Sequence, residues 1–148
     1  MYQYQHNQNG PYFGYQLASK GDRLIASLLE SLILYLPLII FTGSYKSDES
    51  SYSASSIIIN LVFSAALGAM FYSMWSGNLG HKIMRLKVIS SEDGLDKRNA
   101  GDGAFRESLK YVSGLLVIPI IWILWDKDNQ NLYDKATKTF VVKDYIKQ

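Results

Sequence analysis

The chain has 148 residues, no cysteine and a formal net charge of +2. That length suits one domain, the lack of cysteine excludes disulfides, thiolate metal sites and cysteine nucleophiles, and the small charge argues against a nucleic-acid surface. Its 48% hydrophobic content and mean hydropathy of −0.02 suggest a soluble protein only on average. The apolar residues are gathered in three blocks, 24–41, 57–75 and 109–125, between strongly polar ends and loops. The first two approach the roughly 20 residues that cross a bilayer core. The pattern is that of an integral membrane protein.

In chain order, residues 1–16 are rich in Tyr, Gln, Asn and Gly, with neither a basic stretch nor an apolar run of signal-peptide type. They are expected to form a disordered polar tail. Ser19 and Asp22 offer a capping side chain and a first-turn acid, so a helix is predicted from there to about Thr42. Pro37 lies in its outer half, where a kink is tolerable. The Ser-rich connector after it is short enough to join antiparallel helices. The second helix, about 56–75, carries Ser64, Ala65, Ala66, Gly68 and Ala69. Small residues allow close helix approach, which makes Gly68 and its alanine neighbours a candidate oligomer face. Tyr72 and Trp75 fit an aromatic belt.

Residues 83–89 alternate partly, are rich in β-branched side chains and run into Ser-Ser-Glu-Asp-Gly, a strand followed by a turn. Residues 138–143 form a second strand-like run, and pairing the two would satisfy both backbones. The third apolar block contains Gly114 and Pro119. A bent, re-entrant or interfacial element is predicted for it, with a straight span as the alternative. Residues 76–110 hold seven Lys/Arg, whereas the 44–54 connector has Lys46 against Asp48 and Glu49. The positive-inside rule then places the connector outside, and the N-terminus, central loop and tail in the cytoplasm. The predicted class is an all-α membrane protein: antiparallel transmembrane helices, a third bent or short apolar helix, and a small cytoplasmic β pairing.

Glu30 interrupts the first apolar block, a costly position for a carboxylate. Arg23 lies seven residues earlier on the same helical face. Their Cα atoms would be about 10 Å apart on a straight helix, so a third group is expected near Glu30. One reading is a structural ion pair; the other is a cation or proton site at Glu30 with Arg23 modulating its charge. Arg106, just before the third block, could approach Glu30 or simply anchor the helix. Asp134 reads as a turn or helix cap, and Lys82 as an accessory polar group. Gly77, Gly80 and His81 suit a headgroup or anion contact, although the spacing is not that of a P-loop. With His6 as the second histidine, no histidine-based metal site is predicted, and no cofactor. No serine–histidine–acid set points to an enzyme.

Three pieces in order carry a resemblance. They are Arg23-Leu-Ile-Ala26-Ser-Leu-Leu-Glu30, Gly77-Asn-Leu-Gly80-His81-Lys82-Ile-Met-Arg85-Leu86-Lys87-Val88, and 125–139 around Asp134. The chain resembles the RDD family of small bacterial membrane proteins, named for one arginine and two aspartates, over roughly residues 17–143. Residues 144–148 remain as a short tail. Three positions depart from the family pattern: Glu30 stands for the first aspartate, His81 where lysine is common, and Tyr133 where histidine often precedes the second aspartate. The resemblance implies a multi-pass protein of the bacterial inner membrane, with transport of small ligands or ions as the usual suggestion. The expected role is ion- or proton-coupled transport centred on Glu30. The alternative is a membrane anchor or assembly subunit without transport activity. The expected partners are the lipid bilayer and either further copies of the chain or another membrane protein, with no nucleic acid.

Overall fold

A computed structural model describes residues 12–36, 54–115 and 121–144. Expectations for 1–11, 37–53, 116–120 and 145–148, including Pro37, the external connector and Pro119, lie outside the described residues. The elements are α1 (Lys20–Glu30), a π-helical turn (Ser31–Tyr35), α2 (Ala54–Trp75), α3 (Leu79–Ile83), β1 (Leu86–Ser90), α4 (Ala100–Leu115), a 3₁₀ turn (Trp122–Leu124), α5 (Leu132–Ala136) and β2 (Thr139–Lys143).

Helix α1 starts where Ser19 and Asp22 cap each other: Asp22 N–H donates to Ser19 Oγ and Ser19 N–H to the Asp22 carboxylate, both at 3.0 Å. Immediately after Glu30 the helix widens, and Leu36 N–H reaches back five residues to the Ser31 carbonyl. Such π turns are frequent at functional positions.

Helices α2 and α4 pack antiparallel, with Gly68 beside Glu107 and Tyr72 beside Gly103. Contact is backbone to backbone. A Cβ on Gly68 would stand 2.3 Å from the Gly103 carbonyl oxygen, and one on Gly103 2.3 Å from that of Gly68. Gly68 is thus used inside the chain, and the oligomer face expected there is already occupied. Tyr72 is fully buried rather than part of an aromatic belt. Trp75 instead stacks on Phe71, with ring centroids 5.2 Å apart.

The two strand-like runs pair as expected. β1 and β2 are antiparallel, with Val88 opposite Val141, and Leu17 bridges Val142 on the far edge of β2. The first strand begins at Leu86 rather than 83 because Leu79–Ile83 is helical. The approach to α1, the segment after α2 and the C-terminal run therefore meet in one small layer, and Ala18, Leu86, Val88 and Val141 from it belong to the hydrophobic core. The tail joins it too: Tyr12 packs edge-on against Phe140 and hydrogen-bonds Asp128 at 2.7 Å. The disorder expected for 1–16 does not extend through 12–16.

Each strand is preceded by the same local unit. Asn78-Leu79-Gly80-His81-Lys82 and Asn131-Leu132-Tyr133-Asp134-Lys135 both form a one-turn helix. In each, the fourth side chain accepts from the first residue's N–H, His81 at 3.3 Å and Asp134 at 2.8 Å. A basic residue with positive φ, Arg85 (52°) or Lys138 (51°), then turns the chain into the strand.

An apolar core lies in and beside the sheet (Ala18, Ala26, Tyr72, Leu86, Val88 and Val141), but around α1, α2 and α4 burial is inverted relative to a water-soluble protein. Leu24, Leu28, Leu32, Ile58, Ile59 and Val62 are exposed, whereas Arg23, Glu30, Arg106, Glu107 and Asp134 are buried. Among the described residues, one stretch, Ile57–Ile83, is long and apolar enough to cross a membrane, with a mean hydropathy of 1.8, and most of it is uncovered. A soluble core helix of that hydropathy would be mostly covered. Exposed aliphatics around buried charge are the arrangement a bilayer favours.

Candidate functional site

The buried charges form two linked halves. In the first, Asp134 is fully buried and receives two guanidiniums: Arg23 at 2.5 Å on Oδ2, and Arg106 on Oδ1. The Asn131 N–H adds a bond at 2.8 Å. Burial would raise the Asp134 carboxyl. The Arg23 and Arg106 guanidiniums outweigh that and hold it below the ordinary carboxylate range. Arg106 also donates to Tyr72 Oη at 2.5 Å, and Arg23 to the Asn129 carbonyl. Four segments, α1, α2, α4 and α5, are thereby tied to one carboxylate.

In the second half, Glu30 accepts from Lys110, and from Asn78 Nδ2 at 2.8 Å. Lys110 also contacts Glu107 at 3.2 Å, and Glu107 lies 3.7 Å from Arg106. Glu30 and Glu107 are each 4% exposed, so two buried carboxylates share one ammonium. Asn78 joins this half to α3, since its Oδ1 accepts the His81 N–H at 2.8 Å. The full set balances three cations (Arg23, Arg106, Lys110) against three carboxylates (Glu30, Glu107, Asp134). Breaking one member of such a network leaves an uncompensated buried charge.

Arg23 and Glu30, read either as a structural ion pair or as an exchange site with its charge modulator, belong to different halves. Arg23 binds Asp134, while the third group expected near Glu30 is Lys110 together with Asn78. Arg106 enters the Asp134 half, so its approach is to the aspartate rather than to Glu30. Asp134 caps α5 as read, and is in addition the centre of the first half. Lys82 stays outside, exposed with its ammonium 5.9 Å from the Trp75 ring centroid. Gly77 and Gly80 are buried and serve packing: a Cβ on Gly80 would stand 1.9 Å from the Ala26 carbonyl oxygen, and one on Gly77 3.1 Å from His81 Cβ. His81 is buried beside them, its Nδ1 accepting the Asn78 N–H.

Sequence reading missed Glu107, Lys110, Asn78 and Tyr72. A signal for two of them was present. Arg106, Glu107 and Lys110 fall at i, i+1 and i+4, which groups three charges along one helical turn at the edge of an apolar block. Lys110 read only as part of the cytoplasmic charge bias. No group of three or more His, Asp or Glu side chains able to hold a metal occurs among the described residues.

These features define a small, mostly helical membrane protein with a membrane-length helix, a two-stranded sheet and a buried charge network. The chain belongs to the RDD family, whose family model matches residues 17–138. Neither the curated proteins nor the solved structures gave a match. The matched span contains Arg23, Glu30 and Asp134, so the arginine and the two acids that carried the resemblance all lie in the network.

Proposed function

We propose that the protein exchanges a proton or a small cation at Glu30 and couples this to transport across the cell membrane. The observation that carries the reading is the shared ammonium: Glu30 and Glu107 are both buried, and Lys110 is the ammonium between them. Glu107 Oε1 has no hydrogen-bond partner. That half has one carboxylate in excess, and the Asp134 half has one cation in excess. Arg106 stands between them, 3.7 Å from Glu107. Loading the carboxylate side with a proton or cation frees Arg106 to serve Asp134 alone. This gives the network two charge distributions with the same groups.

The proposed topology has two antiparallel spans with the N-terminus in the cytoplasm and the third apolar segment bent back. It is supported by the sheet that joins Leu17, β1 and β2 and by the Lys/Arg bias of the central loop and tail. Two spans and a bent segment enclose no pathway by themselves, so the role requires further copies of the chain or a membrane-protein partner. With Gly68 used within the chain, the exposed face of α2 around Ile58, Ile59 and Val62 is the proposed contact. The role is not enzymatic.

The test is ion flux in proteoliposomes. Wild type is expected to dissipate an imposed proton or sodium gradient, with Glu30→Gln reducing the rate at least tenfold at equal incorporation. Equal rates in both, or none above empty liposomes, would remove transport. A partner captured through the two-stranded layer would then favour the anchor or assembly role.

A further inference from the structure

We propose that the cavity between α1, α3, α4 and the 3₁₀ turn binds the headgroup of an anionic lipid. The cavity has a volume of about 380 Å³, within the range of pockets that hold small ligands. Its polar wall includes Lys20, Arg23, Lys110 and His81, and no carboxylate lines it among the described residues. Lys20 is ion-paired with no carboxylate among those residues; its ammonium donates to the Leu124 carbonyl at 2.8 Å. Arg23 Nε, a buried donor on a lining residue, lacks a hydrogen-bond partner. Buried polar groups left unpaired are costly.

The other wall is apolar, formed by Leu24, Ile121, Ile123 and Leu124. Leu24 and Leu124 are more than half exposed and continue into the uncovered faces of Leu28 and Trp125. The mouth therefore opens onto surface suited to acyl chains, with Trp122 and Trp125 exposed beside it, residue types that favour a membrane interface. Lys20, paired with no carboxylate among the described residues, beside an apolar, laterally open mouth fits an amphiphile better than a free anion. An anionic phosphate headgroup carrying acyl chains meets both features. The site is distinct from the proposed exchange at Glu30, although Lys110 borders both.

The experiment is thermal unfolding of the full-length protein in detergent, titrated with dioleoyl phosphatidylglycerol, dioleoyl phosphatidylcholine or glycerol 3-phosphate. Phosphatidylglycerol is expected to raise Tm saturably, and the other two not to. Lys20→Gln should weaken the apparent affinity three- to tenfold, and Ser27→Phe, which fills the cavity, more than tenfold. Tm without lipid reports whether each variant folds, and Lys20→Gln, at a partly exposed position, serves if Ser27→Phe does not. Equal responses to the two phospholipids would mean non-specific annular lipid and overturn the proposal. An equal response to glycerol 3-phosphate would assign the site to a soluble anion and overturn the acyl-chain assignment. Unchanged affinity in folded variants would place the lipid elsewhere.

Discussion

Asp134→Asn is expected to destabilise the fold by about 3–5 kcal/mol, the loss typical when one partner of a buried ion pair is removed. The substitution keeps the shape and the cap of α5 but removes the negative charge that Arg23 and Arg106 both face. Neither guanidinium can reach solvent, since Arg23 is 5% and Arg106 1% exposed. The effect has a defined pH signature. The folded-state carboxyl is held below its ordinary value, so its stabilisation is complete above about pH 4 and is lost as the pH falls through the folded value. Wild type should therefore lose Tm steeply below about pH 4, and Asp134→Asn should start lower and fall less. A change under about 1 kcal/mol, or an unaltered acid limb, would show that Asp134 is not the centre of the lock.

Gly80→Ala is the second large effect, about 2–3 kcal/mol. The added methyl carbon would stand 1.9 Å from the Ala26 carbonyl oxygen and 2.7 Å from its carbonyl carbon. These are backbone atoms, so α1 and α3 must separate. The consequence reaches the site, because Asn78 caps α3 and donates to Glu30 on α1. Gly21→Ala is the matched control: its Cβ would meet only Ser19 Oγ at 3.7 Å, so a small gain of up to about 1 kcal/mol is expected from helix propensity. Thermal unfolding in one detergent compares the two, and equal Tm values would contradict the packing account.

The contact also explains the spacing of the first motif. Arg23 and Ala26 lie on one side of α1, so the turn that directs the guanidinium to Asp134 sets the small residue against Gly80. Other features were equally legible: the Ser19–Asp22 cap, the apolar blocks and the two strands each follow from local chemistry. The β pairing could be inferred because two isolated strand-like runs leave backbone groups that need each other.

The partners of the buried charges were not legible in the same way. Glu30 announces a need for compensation, but Lys110 lies 80 positions away and is indistinguishable in sequence from an anchor at the membrane surface. Arg106 is drawn to Asp134 rather than Glu30 because the α2–α4 contact through Gly68 and Gly103 sets its direction. Tyr72 fits an interfacial belt by sequence, and its burial follows from the same contact. Long-range charge assignments depend on helix packing, which local patterns do not contain. The repeated Asn-Leu-x-x-Lys unit was visible in the sequence, and its shared capping geometry gives it meaning only beside the sheet.

The exchangeable carboxylate is tested most directly by infrared difference spectroscopy of the protein in liposomes as the medium is acidified or loaded with sodium. A carboxyl or carboxylate band that responds to one of these changes is expected in wild type and absent in Glu30→Gln, while Asp102→Asn, exposed and outside the network, leaves it intact. A band that persists in Glu30→Gln, or no responsive carboxyl in wild type, would contradict it.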